Sequence, residues 1–136
     1  MVRIAFGTDE STPLTDEVVA ELERHGHQVT DVAKAEPWPE VGHRVGEAVA
    51  SGRADRGVVC CWTGTGVSMA ANKVPGVRAA LCTDAETARG ARRWNDANVL
   101  ALGLRLTSRE VACEMLDAFL GTEVDTDERE NVSRLD

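Results

Sequence analysis

Apolar positions along the chain follow two patterns that alternate. Short apolar runs, several of them β-branched, predict five buried strands at residues 2–6, 29–32, 58–61, 77–82 and 99–102. Between these runs apolar residues recur at intervals of three and four, which predicts helices at residues 12–26, 41–52, 67–73, 85–94 and 109–120. Strands that alternate with helices predict one doubly wound α/β domain, residues 1–136, with a five-stranded parallel sheet.

Three stretches of the chain are read from composition rather than from periodicity. Residues 33–39 predict a loop, because two prolines flank Trp38. Residues 121–136 carry six acidic residues against two arginines and predict a polar C-terminal tail. The fourth helix is rich in arginine, and we interpret Arg89, Arg92 and Arg93 as a solvated face.

The junction after the third strand carries the strongest chemical signal. Cys61 ends the strand, and the glycines of Thr63-Gly64-Thr65-Gly66 let the backbone turn sharply into the next helix. Free N–H groups at a helix start attract negative charge and lower the pKa of a nearby thiol, so one loop could hold a base and an oxyanion site. A tight turn without function remains an alternative. The dinucleotide and P-loop motifs are excluded, because a third small residue and a Gly-Lys-Ser/Thr sequence are missing.

Composition narrows the classes of function. The formal charge is −8, with 15 basic and 23 acidic residues and no basic run, which argues against nucleic-acid binding. No apolar run approaches the length of a membrane span, and the first strand begins too early for a signal peptide, so we expect no membrane partner and a cytoplasmic protein. The four cysteines show no CxxC spacing. Cys60 and Cys61 are neighbours on a strand and must face opposite sides of the sheet, so they cannot share one role.

A set of motifs between Ile4 and about Leu120 resembles the family of type B ribose-5-phosphate isomerases and galactose-6-phosphate isomerase subunits. The motifs are Gly7-x-Asp9, Ala48-x-x-x-Gly52-x-Ala54-Asp55-x-Gly57, Cys61-x-Thr63-Gly64-x-Gly66, Ala70-Ala71-Asn72-Lys73, Arg78-Ala79-Ala80 and Asn95-Asp96-Ala97-Asn98-Val99. The resemblance implies a three-layer, Rossmann-like α/β/α fold with strand order 2-1-3-5-4. It also implies a homodimer with shared active sites, and aldose–ketose interconversion through an enediolate without a metal or a cofactor.

The resemblance also implies roles for the matching residues. Cys61 matches the base that moves a proton between C2 and C1 of the open-chain sugar, and Asp9 matches a residue that binds sugar hydroxyls. Asn95 and Arg105 match residues that the partner subunit supplies to the site. In the family, one loop holds the enediolate oxygens, and it corresponds here to Thr63, Gly64 and Gly66. Thr65 lies between these two glycines. We therefore expect Cys61, Thr63 and Asp9 to be catalytic, and the other residues to bind substrate.

The chain departs from the family pattern where members bind phosphate and open the sugar ring. Glu10 and Trp94 stand at positions that usually carry histidine, and Trp62 stands where the family has glycine. The acidic tail replaces most of the basic residues that grip the substrate phosphate, which leaves Arg129 or Arg134 as the only candidates there.

We therefore expect an aldose–ketose isomerase that acts on a sugar or sugar derivative other than ribose 5-phosphate. Glu10, Trp62, Trp94 and Arg129 complete the expected substrate-binding set. One alternative is a ribose-5-phosphate isomerase with a rearranged phosphate clamp. Another is a non-catalytic sugar-binding or regulatory protein on the same fold, which two tryptophans would serve well because indole faces stack on sugar rings.

Overall fold

The computed structural model of the protein describes all 136 residues, in which strands and helices alternate. The strands are β1 Arg3–Thr8, β2 Gln28–Lys34, β3 Arg56–Cys61, β4 Ala79–Leu81 and β5 Val99–Gly103. The helices are α1 Pro13–Arg24, α2 Trp38–Ala50, α3 Thr65–Asn72, α4 Ala85–Asn95, α5 Arg109–Gly121 and α6 Arg129–Ser133, with a 3₁₀ turn, Thr126–Glu128, before α6. None of these helices combines the length and the apolar character needed to cross a bilayer.

The five strands form a single parallel sheet with the order β2-β1-β3-β5-β4. The predicted parallel sheet and the strand order implied by the family resemblance are both confirmed. The chain leaves β1 toward one edge of the sheet and β3 toward the other. In sheets of this kind a crevice opens between two such strands at their carboxyl ends, and ligands bind there.

Two hydrophobic clusters cover the two faces of the sheet and make the fold three layers deep. Cys60 points to the face covered by α1 and α5, where it packs in one cluster with Leu22. Cys61 points to the opposite face, under α2 and α3, and packs in the other cluster with Val45. The two thiols therefore lie on opposite sides of the sheet, as strand alternation predicts.

Several boundaries differ from those predicted. The predicted strand 77–82 is reduced to β4, and just before it the Arg78 N–H donates to the Asn98 side-chain oxygen at 2.7 Å rather than to a backbone carbonyl of a neighbouring strand. The loop predicted at residues 33–39 is shorter, since α2 already begins at Trp38 and its first turn tolerates proline. Helix α3 begins at Thr65, two residues earlier than predicted. The polar tail contains the 3₁₀ turn and α6, and the Asp125 N–H fastens it to the Arg93 carbonyl at 2.8 Å.

The interpretation of Arg92 as a solvated residue is wrong. Its side chain is 2% exposed, and Nη1 donates to Asp96 Oδ1 and to the Ala97 carbonyl, both at 2.7 Å. The guanidinium carbon also lies 6.0 Å from the centre of the Phe119 ring. A buried cation persists when a carboxylate and carbonyl groups replace its hydration, as they do here. Arg92 thereby fastens the turn after α4, where Asp96 adopts φ 48°.

Candidate active site

A cavity of about 300 Å³ opens at the carboxyl ends of β1 and β3, in the crevice where such sheets bind ligands. Its lining residues are Asp9, Trp38, Cys61, Trp62, Thr63, Thr65, Gly66 and Met69. Asp9 follows β1 and Cys61 ends β3, and the parallel pairing of the two strands brings these segments to one edge. Cavities of about 440 Å³ and about 650 Å³ lie elsewhere, but no thiol lines either.

The loop between β3 and α3 is held in a conformation that only glycine adopts easily. Gly64 has φ 80° and caps α3 with its backbone alone. A Cβ at Gly64 would lie 2.5 Å from Leu81 Cδ1 and 2.9 Å from the Gly103 nitrogen. Likewise, a Cβ at Gly103 would lie 2.7 Å from the Thr63 carbonyl oxygen. The loop therefore packs directly on the end of β5, and its glycines permit that contact.

The first turn of α3 presents unused hydrogen-bond donors. The N–H groups of Thr65, Gly66 and Val67 donate to no other group of the chain, and the first bonded one is that of Ser68, to the Gly64 carbonyl at 3.3 Å. The hydroxyl oxygens of Thr63 and Thr65 lie 2.9 Å apart. Free N–H groups at a helix start carry partial positive charge, so this turn suits a negatively charged oxygen.

The two adjacent cysteines have different surroundings. Cys61 is 5% exposed, and its side chain lines the cavity beside α3. Cys60 is completely buried on the opposite face, and burial raises the pKa of its thiol far above the ordinary value. Only Cys61 can therefore meet a ligand in this cavity.

Asp9 brings an unpaired carboxyl oxygen to the same cavity. Its Oδ1 atom is buried and has no hydrogen-bond partner. Burial, followed by the charge of Glu10, raises the pKa of the Asp9 carboxyl. Buried polar atoms normally have partners, and an exception inside a cavity suits a group that bonds a ligand or carries a proton.

Two residues that line the cavity, Trp38 and Met69, were not expected from the sequence. The Trp38 ring covers Gly66, where a Cβ would lie 2.9 Å from the indole Cδ2. Met69 lies one turn into α3 and is 60% exposed. Trp38 could have been found from the sequence, because it follows shortly after the second predicted strand and therefore lies near the same sheet edge as Cys61. Met69 had none, since an apolar residue on a helix normally indicates the core.

Six residues of the expected site do not line this cavity, and one of them, Gly64, is buried in the glycine loop between residues that do. Trp94 and Asn95 line the cavity of about 650 Å³ beside β4 and α4. Glu10 and Arg105 are exposed and do not line the Cys61 cavity. Arg129 is exposed at the start of α6, in the tail. Within one chain, therefore, the structure gathers the thiol, Asp9 and the glycine loop, and it does not gather Asn95 and Arg105, which the family resemblance assigns to a partner subunit.

Similarity to known proteins agrees with this arrangement. A sequence model of the family described as Ribose/Galactose Isomerase matches residues 4–136. The chain is 40% identical to ribose-5-phosphate isomerase B of Escherichia coli, over 90% of this chain and 86% of that protein. It is 36% identical to D-erythrulose-4-phosphate isomerase of Pectobacterium atrosepticum, over 90% of this chain and 85% of that protein. A solved structure of ribose-5-phosphate isomerase B from Clostridium thermocellum matches with a TM-score of 0.93 and 39% identity, over 98% of this chain and 94% of that one. The chain therefore belongs to the ribose/galactose isomerase family of aldose–ketose isomerases.

Proposed function

We propose that the cavity between β1 and β3 is the active site and that Cys61 is the base of the isomerisation. One observation carries the proposal: the Cys61 thiol, the Asp9 carboxyl and the free N–H groups of Thr65 and Gly66 belong to one cavity of about 300 Å³. Isomerisation of a sugar needs a base, a site for negative charge and a group that moves hydroxyl protons. These groups can supply all three.

In the proposed reaction, the Cys61 thiolate removes the proton on C2 of the open-chain aldose. The electron pair of that C–H bond forms the double bond of an enediolate, whose negative charge rests on O1 beside the N–H groups of Thr65 and Gly66. The Cys61 thiol then returns its proton to C1, while the hydroxyl proton of O2 passes to O1. A ketone at C2 remains, and the thiolate is regenerated.

We assign the transfer of the hydroxyl proton to Asp9. Its raised pKa, caused by burial and then by Glu10, lets the carboxyl hold a proton for part of the cycle. Its unpaired Oδ1 is free to accept a hydrogen bond from a substrate hydroxyl. The family resemblance leads us to expect a histidine that helps to open the sugar ring, but Trp94 stands at its position. Asp9 is therefore also the candidate for opening the ring.

We further propose that the protein does not recognise its substrate mainly through a phosphate group. The part of the Cys61 cavity that one chain supplies contains no lysine or arginine, and it contains the carboxyl of Asp9. A charge-assisted hydrogen bond contributes roughly 1.5–3 kcal/mol, so the loss of two phosphate-binding cations would cost about 3–6 kcal/mol. The indoles of Trp38 and Trp62 instead offer flat apolar faces to a sugar ring. A neutral or amino-bearing aldose fits these surroundings.

The competing proposal is ribose-5-phosphate isomerisation with a phosphate clamp built from the tail. The relative from Escherichia coli is named for that substrate, whereas the relative from Pectobacterium is named for a tetrose phosphate. Arg134 already pairs with Glu130 at 3.3 Å, which leaves Arg129 as the freer cation of the tail. A binding protein without catalysis would instead take up a sugar and leave it unchanged.

We also propose a homodimer in which each Cys61 cavity is completed by residues of the partner. Trp94 is 55% exposed and lies with Asn95 in a cavity separate from that of Cys61. Arg105 is exposed on the loop after β5. Two copies related by a two-fold axis could bring these groups to each other's cavities, because a closed dimer uses the same surface twice.

One experiment tests both the reaction and the substrate class. Turnover of ribose 5-phosphate, erythrulose 4-phosphate and a panel of free and amino-bearing aldoses is measured with the wild type and with the Cys61→Ala, Cys60→Ala and Arg129→Ala variants. We expect turnover of a substrate without phosphate, a loss of about a hundredfold or more in Cys61→Ala, and retained turnover in Cys60→Ala.

The outcomes separate the proposals. Full turnover by the Cys61→Ala variant excludes this thiol as the base. Efficient turnover of a phosphorylated sugar that depends on Arg129 excludes the proposed substrate class and leaves the proposed base intact. Binding of a sugar without turnover of any compound in the panel favours the non-catalytic alternative.

A further inference from the structure

The cavity of about 440 Å³ is separate from the Cys61 cavity but adjoins it, because Trp62 lines both. The loop from β1 to α1 also borders both, since Asp9 at its start lines one and Thr12 at its end lines the other. The other walls of the larger cavity, hereafter the Arg109 cavity, come from the start of α1 and from the residues after β5: Pro13, Leu14, Glu17, Leu104, Thr107 and Arg109. Both cavities therefore open at the carboxyl edge of the sheet, on the two sides of one indole.

The Trp62 ring stands at this junction on a fixed backbone. The Trp62 carbonyl accepts from the Arg105 N–H at 2.9 Å, and the Cys61 carbonyl accepts from the Leu104 N–H at 2.9 Å. The Trp62 side chain is 54% exposed, so most of its apolar surface is left for a ligand. An indole has two flat apolar faces, and each can pack on the C–H face of a sugar ring. Trp62 can therefore contact one sugar unit in each cavity.

The Arg109 cavity also contains polar groups that suit hydroxyls. The Thr107 hydroxyl bonds to no other group of the chain, and the Thr12 hydroxyl oxygen accepts a backbone N–H at 3.2 Å, which leaves its O–H free to donate. Glu17 Oε1 lies 2.6 Å from Arg24 Nη2 and 3.1 Å from Arg109 Nη2, so Glu17 Oε2 remains to accept a hydrogen bond. Donors and acceptors thus stand beside the apolar surface of the same cavity.

The charges that line the Arg109 cavity balance each other. Arg109 is its one cation and Glu17 its one carboxylate, and the two are paired. A phosphate would compete with Glu17 for Arg109 and would lie close to a carboxylate. Hydroxyl groups can instead accept from Arg109 and donate to Glu17 without separating the pair. The Arg109 cavity therefore favours a neutral polyhydroxy group over an anion.

We propose that the Arg109 cavity binds a second, neutral sugar unit, so that the substrate is a reducing disaccharide whose aldose end lies beside Cys61. This inference rests on the proposed isomerisation and adds a substrate class to it. Trp62 contacts both units, and Glu17, Thr107 and Arg109 select the distal one. These three residues determine specificity and take no part in the proton transfers, and the bond between the two sugar units stays intact.

Sugar binding to a Cys61→Ala background tests this inference, because the variant separates recognition from turnover. Calorimetry compares cellobiose, maltose and lactose, which share glucose as the reducing unit, with glucose itself. We expect at least one disaccharide to bind about tenfold or more tightly than glucose. A hydrogen bond to a charged group contributes roughly ten- to a hundredfold in affinity, so Arg109→Gln should weaken binding of that disaccharide at least about tenfold more than binding of glucose. The neutral bond lost in Thr107→Val should weaken it roughly two- to tenfold.

Arg44→Gln is the matched control, because Arg44 forms an exposed ion pair with Glu36, also at 3.1 Å, and lines neither cavity. This variant should bind each sugar as the background does. In the chain that retains Cys61, Arg109→Gln should raise KM for the disaccharide and leave kcat unchanged, since Arg109 touches no reacting atom. The exposed position of Arg109 makes its replacement compatible with folding, which melting curves check.

Three results overturn the inference: glucose binds as tightly as every disaccharide, Arg109→Gln weakens both classes of sugar equally, or glucose 6-phosphate binds more tightly than the disaccharides and loses that advantage in Arg109→Gln. The first two results leave the proposed isomerisation of a neutral aldose intact. The third, or a failure of every neutral sugar to bind, contradicts the proposed substrate class as well.

Discussion

At the scale of single residues, Asp9 both lowers the stability of the fold and carries a proposed catalytic role. Its buried Oδ1 lacks a partner, and burial is the first cause of the raised pKa of its carboxyl. A raised pKa means that the folded chain holds the proton more tightly than the unfolded chain does. The ionised carboxylate therefore destabilises the fold, and this effect grows as pH rises from the unfolded pKa through the folded one.

We predict that Asp9→Asn increases the free energy of unfolding at neutral pH and lowers kcat by about a hundredfold or more. The gain in stability should vanish at pH values below the pKa of aspartate in the unfolded chain, because there the Asp9 carboxyl is protonated in both the folded and the unfolded state. Urea unfolding at several pH values and the pH profile of kcat/KM measure the two effects. The control is Glu10→Gln, which should only move the acidic limb of the profile to lower pH, because Glu10 is the second cause of the shift. A destabilised Asp9→Asn protein with normal turnover would contradict the assignment.

At the scale of elements, the turn from β3 into α3 decides where the free N–H groups lie. Gly64 has a positive φ, and its missing Cβ lets the turn touch β4 and β5. The backbone after β5 returns to the same place, since the N–H groups of Leu104 and Arg105 donate to the carbonyls of Cys61 and Trp62, both at 2.9 Å. The conformation of the glycine loop is thus fixed by the end of a neighbouring strand.

We predict that Gly64→Ala destabilises the protein and removes most of its activity. A left-handed alanine costs about 1–2 kcal/mol, and the clash with Leu81 and the Gly103 backbone adds about 1–3 kcal/mol. Gly52→Ala separates the two contributions, because Gly52 has φ 83° and a Cβ there would meet nothing within 4 Å. Urea unfolding should show only the smaller cost for Gly52→Ala, with normal turnover. Equal losses of stability in the two variants would mean that packing against β5 does not constrain the loop.

At the scale of the whole molecule, the expected site is divided between two surfaces of one chain. Cys61 and Asp9 share one cavity, and Trp94 and Asn95 share another. The ion pairs of Asp96 with Arg92 and Arg78, at 2.7 and 3.3 Å, hold the turn that presents Asn95. A rigid turn of this kind suits a residue that acts on a neighbouring subunit.

We predict that two inactive variants restore activity when their subunits are exchanged. In a mixed dimer of Cys61→Ala and Asn95→Ala chains, one site combines both mutations and the other contains neither. Random exchange of equal amounts should restore roughly a quarter of the wild-type activity. The control is Cys61→Ala mixed with Cys61→Ser, which leaves no intact site. A monomer in solution, or no recovery after complete exchange, would exclude the shared site.

Local pattern determined much of this protein from the sequence alone. The five strands, the helices between them, the parallel sheet and the opposite directions of Cys60 and Cys61 all follow from periods of two and 3.6 residues, which short-range sterics impose on any chain. The glycine loop after Cys61 could also be predicted from the sequence, because a sharp turn from a strand into a helix needs glycine at the turn itself. The motifs then supplied the family and the strand order.

Tertiary structure decided whatever depends on residues that are distant in sequence. No periodicity places Trp38 over Gly66, buries Arg92 against Phe119, or leaves an oxygen of Asp9 without a partner. The pairing of Glu17 with Arg109 depends likewise on how α1 and α5 pack. These contacts arise when helices settle on a sheet whose strand order brings separate segments together. The free energy of each contact comes from that packing and from desolvation, which local sequence does not encode.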